Sequence, residues 1–90
     1  MTQKFVDDDE GYRLWLAVHP HGYVLNTTRP PASSYLILHK ANCCTIQTQR
    51  GQNWTHEYIK ICAGRQLEIE NCVQNEVGGE LKPSHFCFRR

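Results

Sequence analysis

Tyr35-Leu36-Ile37-Leu38-His39-Lys40-Ala41-Asn42-Cys43-Cys44-Thr45-Ile46 is the stretch that decides the fold. Its first five residues have the composition of a strand, and Asn42 favours a turn just beyond it. Alternation places Tyr35, Ile37 and His39 on one face and Leu36 and Leu38 on the other. Upstream, Tyr23-Val24-Leu25-Asn26-Thr27 has the same character. Between the two runs lies Thr28-Arg29-Pro30-Pro31-Ala32-Ser33-Ser34, a loop, since two prolines cannot donate to a ladder. The pair reads as an antiparallel hairpin with a long connection. Downstream, residues 43–48 fit either a helical turn or an extended piece, and Gln49-Arg50-Gly51-Gln52-Asn53 is a polar loop. Trp54 and Tyr58 then fix the segment that contains a third strand, Tyr58-Ile59-Lys60-Ile61-Cys62. There Ile59 and Ile61 face one way, and Tyr58, Lys60 and Cys62 the other.

Two helices flank these strands. Asp7, Asp8 and Asp9 offer capping oxygens and favourable charge at a helix start. Tyr12, Trp15, Leu16 and His19 come next at helical spacing, with Leu14 and Val18 widening the apolar stripe. Pro20 disfavours helix at His19, so the first helix covers residues 8–18. After Gly64 a second helix runs to residue 76, with Ile69, Cys72, Val73 and Val77 on its apolar face and Leu67 beside it. Gly78-Gly79 ends it. The expected fold is α+β, a small antiparallel sheet of about three strands packed with two helices in the order α-β-β-β-α. The tail from Glu80 has room for one strand or turn.

The chain has 90 residues, enough for a single domain over residues 1–90. A domain this short buries roughly 60–65% of its unfolded surface, so its core is thin. A metal, a disulfide or a partner subunit would reinforce it. The formal net charge of +1 lacks the strong basic excess of a typical nucleic-acid binder. The charge is uneven, however. Asp7, Asp8, Asp9 and Glu10 cluster near the start, and the chain beyond them is basic. Lys40, Arg50, Lys60, Lys82, Arg89 and Arg90 are the candidate residues of a surface for nucleic acid or a partner, and Arg29 belongs to the same set. No apolar run approaches the length of a membrane span, and residues 1–6 lead straight into acids with no signal-type core. These features, with an odd count of five cysteines, imply a cytoplasmic protein with reduced thiols and no disulfide.

Chemistry-bearing residues gather at two places. His39 closes the second strand, with Cys43 four residues on, and Lys82-Pro83-Ser84-His85-Phe86-Cys87 brings a second histidine and cysteine. Zinc takes imidazole and thiolate in a tetrahedron, so His39, Cys43, His85 and Cys87 form a candidate metal site, with Cys44 a possible substitute. The competing reading treats the cysteines as small buried hydrophobes, which fits Cys72 and Cys62 best. Cys43 beside His39, His56 or His85 also meets the minimal template of a nucleophile and its base. No phosphate-binding glycine loop, Gly-x-Ser-x-Gly or His-Glu-x-x-His occurs. His19-Pro20-His21 reads as a helix end. Tyr12, Trp15, Tyr23, Tyr35, Trp54 and Tyr58 are able to stack on bases, but their spacing suits core positions.

Taken together, Asp8-Asp9-Glu10-Gly11-Tyr12, Trp15-Leu16, His19-Pro20, Gly22-Tyr23-Val24-Leu25-Asn26, Leu38-His39-Lys40-Ala41-Asn42-Cys43, Thr45-Ile46, Trp54-Thr55 and Tyr58-Ile59-Lys60-Ile61-Cys62 resemble a family of small, functionally uncharacterised bacterial domains. The resemblance covers most of the chain and implies a bacterial or phage origin without implying an activity. Members of that family end in a proline followed by Cys-x-x-Cys, whereas here Ser84 stands at the first cysteine position. The two ligand clusters alone are also similar to the zinc-binding domain of Ada-type DNA-repair proteins. His39 stands at that domain's first cysteine position, Cys43 and Cys87 match two others, and Ser84 breaks the remaining one. Beside these resemblances, the residues as a whole are read as a small non-enzymatic binding module associated with nucleic acid, with a structural zinc site or its vestige. The alternative is a protein–protein interaction factor, such as a small phage protein acting on a host complex. A cysteine-dependent enzyme comes third.

Overall fold

The computed structural model describes residues 2–28, 31–42, 55 and 58–83. They form β1 (Gln3–Phe5), α1 (Asp9–Val18), β2 (Tyr23–Thr28), β3 (Leu36–Lys40), β4 (Tyr58–Ala63), α2 (Gln66–Glu76) and β5 (Lys82–Pro83). The class is α+β. Strands β1-β4-β2-β3 make an antiparallel sheet, and β5 joins the far edge parallel to β3. The hairpin of β2 and β3 pairs Leu25 with Leu38 and Val24 with His39. The expected count of about three strands omitted β1, and β5 extends the edge further.

Strand alternation divides the core in two. Leu25, Leu36, Leu38, Ile59, Ile61 and Ala63 point to one face, where Ile69, Cys72 and Val73 of α2 cover them. Phe5, Val24 and Cys62 point to the other, where Tyr12 and Trp15 of α1 cover them. The helices therefore lie on opposite faces. Chain direction explains why. The segments β1-α1-β2 and β4-α2-β5 both connect parallel strands, and both step the same way along the sheet order. β1 and β4 run in opposite directions. Two right-handed crossovers under those conditions must pass on opposite sides.

Local chemistry sets the helix ends. The Asp8 carboxylate accepts the Gly11 amide at 2.9 Å, and Asp9 and Glu10 occupy the first turn, as a helix N-terminus favours. The His19 amide donates to the Trp15 carbonyl at 2.9 Å before Pro20 stops the helix. The imidazole of His19 stacks on Trp15 with centroids 4.3 Å apart. Under that pair sits Gly22, where a Cβ would meet Trp15 at 2.6 Å and the Ala63 carbonyl at 3.0 Å. α2 ends at Gly78, whose φ of +74° is left-handed and whose amide donates to the Val73 carbonyl at 2.7 Å.

Three apolar positions differ from the expected core. Leu14 is 66% exposed, Val18 64% and Leu67 63%. On a helix advancing about 100° per residue, Leu14 lies about 200° round from Tyr12, on the far side from the buried stripe. Leu14 and Val18 are four residues apart and so form a second, outward stripe.

Candidate functional site

His39 lies on the α1 side of the sheet, paired with Val24. It is half-buried. Burial, with a smaller push from Lys60, lowers its imidazole to about 4, so it is neutral at pH 7. Neutral imidazole is the form that ligates metals. Earlier on the same strand, Ile37 pairs with Lys82 and Leu38 with Pro83. The start of the tail thus runs along the strand that carries His39, and in its direction. Cys43, Cys44, Ser84, His85 and Cys87 lie outside the described residues, as do Arg29, Arg50, His56, Arg89 and Arg90. Among the described residues no cluster of three His, Cys, Asp or Glu side chains is arranged to hold a metal. Of the four candidate zinc donors the described residues hold only His39.

The candidate cationic surface needs one correction. Lys40 and Lys82 are exposed on the β3–β5 edge, but Lys60 is only 4% exposed. It lies on the face that α1 covers, which alternation along β4 cannot reveal. Its ammonium donates to the Asn26 side-chain oxygen at 2.7 Å and sits 5.9 Å from the Tyr12 ring centroid. Burial lowers its pKa to about 8, against the pull of Cys62 and Asp9 in the other direction. The same burial raises the Cys62 thiol and the Tyr12 hydroxyl well above their ordinary ranges. Cys62 is consequently a protonated core thiol and no nucleophile.

Buried Thr55 ties the acidic run to the body of the protein. Its hydroxyl donates to the Asp9 carboxylate at 2.7 Å and accepts the Asp8 amide at 2.7 Å. Its own amide donates to Asp9 at 2.8 Å, and its carbonyl accepts the Asp7 amide at 2.7 Å. Asp7 turns the chain here with a φ of +53°. This network fixes the angle between β1 and α1.

Between those two elements lies an open groove of about 320 Å³. Gln3 and Phe5 of β1 line one side, and Gly11, Leu14, Trp15, Val18 and His19 line the other. The groove is mostly apolar and ends in the exposed Leu14 and Val18 stripe. Two other depressions are more polar. One of about 310 Å³ sits between α2 and the turn at Gly79, floored by Leu38, Val73 and Leu81 and rimmed by Glu70 and Glu80. One of about 270 Å³ is lined by His21, Tyr23, Lys40 and Asn42. The sequence reading missed the groove because it assigned Leu14 and Val18 to the core. The offset of Leu14 from Tyr12 was the signal that could have revealed the outward stripe, while the groove beside it takes shape only with β1 in place. No helix among the described residues is long and apolar enough to cross a membrane. No known protein family, curated protein or solved structure matches the chain.

Proposed function

We propose that this chain is a non-enzymatic binding module whose partner is a protein, held in the apolar groove between β1 and α1. The observation that carries this reading is the outward stripe of Leu14 and Val18 beside that groove. A thin-cored domain has few large aliphatic side chains to spare for solvent, and adjacent ones at a concave site suit a partner's apolar residues. The acidic residues Asp8 and Glu10 at the near end of α1 repel phosphate, which weighs against nucleic acid at this face.

A second reading keeps nucleic acid and zinc together at the opposite edge. Its support is the pairing of Lys82 beside Ile37, which places Lys82 and Lys40 on the edge that carries His39. On that reading His39, Cys43, His85 and Cys87 would hold a structural zinc, and the metal would bind the tail to β3.

One experiment separates the two. The chain and its Leu14→Glu/Val18→Glu variant are immobilised side by side, and retention of proteins and of nucleic acid is compared at low and high salt. Loss of a retained protein in the variant supports the groove. Nucleic-acid binding that falls steeply with salt, equal in both, supports the β3 edge instead.

A further inference from the structure

We propose that the groove's occupant, on the protein-binding reading above, is an extended segment of a partner chain that adds antiparallel to the outer edge of β1. Its leading residues are basic, and beyond them its alternate side chains are apolar.

The sheet order places β1 at an edge, and among the described residues no strand pairs its outer side. An open edge offers backbone donors and acceptors to a further strand. The register makes the consequence specific. Gln3 pairs with Cys62 and Phe5 with Lys60, so the side chains of Gln3 and Phe5 share the face that α1 covers. Both residues also line the groove. A strand laid roughly 4.8 Å beyond β1 would send every second side chain to that same face. Those side chains would meet Leu14 and Val18, which otherwise stand in solvent. Backbone pairing and apolar cover are thus offered together.

Antiparallel pairing is the slightly more stable kind, and charge then sets which end of the added strand is basic. The edge's own cation, Lys4, points to the opposite face and pairs with Glu76. Past Phe5 the chain turns at Asp7 and presents the exposed Asp8 and Glu10. Asp8 binds the amide of Gly11, a residue that lines the groove, so the acids sit at the groove's end. A strand antiparallel to β1 begins at that end. Basic residues at its start complement the acids, and an acidic start is repelled.

The test uses the full chain and a synthetic peptide that opens with two arginines and continues in alternating valine and threonine. Its counterparts carry two glutamates in place of the arginines, or N-methyl groups on alternate amides. Binding is measured by calorimetry and by amide hydrogen exchange. The expected result is at least about tenfold weaker binding of the glutamate and N-methyl peptides, with slowed exchange in β1 when the arginine peptide is bound. Leu14→Glu/Val18→Glu is expected to abolish that binding. Equal affinity of the N-methyl peptide, or unchanged exchange in β1, would overturn strand addition while leaving the groove as a protein site. Binding that survives Leu14→Glu/Val18→Glu would overturn the groove reading itself. No binding of the arginine peptide, or β1 protection that grows with protein concentration alone, overturns this occupant, the latter in favour of a second copy of the chain.

Discussion

Thr55→Val removes one hydroxyl and keeps the side chain's shape. Thr55 is fully buried, so no water stands ready to replace what is lost. The hydroxyl makes two bonds, donating to the Asp9 carboxylate at 2.7 Å and accepting the Asp8 amide at 2.7 Å. A bond to a charged group contributes about 1.5–3 kcal/mol, and a neutral one about 0.5–1.5. The backbone bonds of Thr55 to Asp9 and Asp7 survive the substitution. The variant is therefore expected to lose about 2–4.5 kcal/mol, a large share of the stability of a domain this size. Urea denaturation monitored by tryptophan fluorescence measures this, with an unchanged m-value expected because the same surface unfolds. A double-mutant cycle with Asp9→Asn should return a coupling above about 1 kcal/mol. A Thr55→Val midpoint equal to the parent's would refute the claim that Thr55 holds the β1–α1 corner.

Trp15→Ala is expected to lose about 3–5 kcal/mol, since the ring is 7% exposed and fills the space between α1, Val24 and Gly22; thermal melting checks it, and a shift of a degree or two would be too small. Lys60 has a folded pKa of about 8, below its ordinary value, so the unfolded state binds more protons between pH 8 and 10.5 and the lysine's contribution to stability rises with pH there. Cys62 and Tyr12, both buried and neutral, act in the opposite sense above their unfolded pKa values, so the test is the difference between the parent and Lys60→Met, expected to rise by about 2–3 kcal/mol across that window and contradicted by a flat difference. Mass spectrometry after rapid thiol quenching should count all five cysteines as free or metal-bound; a protected pair formed in the cytosol would contradict this. If His39, Cys43, His85 and Cys87 group around zinc, Ser84→Cys raises zinc affinity by supplying a Cys-x-x-Cys pair, as chelator competition would show.

What was legible in the sequence was local. β2, β3 and β4 show period-two alternation, and α1 carries its cap, its stripe and its proline stop within a dozen residues. β1 is not legible, because Gln3-Lys4-Phe5 has no pattern of its own and becomes a strand only through pairing with β4. β5 contains Pro83, which propensity excludes from a ladder; an edge position tolerates it because one side needs no donor. Alternation correctly grouped Lys60 with Cys62, yet the burial of both depends on α1 crossing that face. The crossing is set by strand order, a non-local property that no window of residues contains. The groove was hidden for the same reason: it exists only once β1 is seated beside α1. His39 was legible as a candidate ligand by type and position, and the structure adds its neutral state and the start of the tail paired along its strand.

The central claim is that the Leu14–Val18 stripe serves a partner and not the fold. The measurement that tests it most directly is stability and partner affinity of Leu14→Glu/Val18→Glu on one sample. Both side chains are more than half exposed, so the folded state should change by no more than about 0.5 kcal/mol per site. Partner affinity should fall by at least about tenfold, the equivalent of about 1.4 kcal/mol. A variant that unfolds, or one that keeps the parent's affinity, would contradict the account.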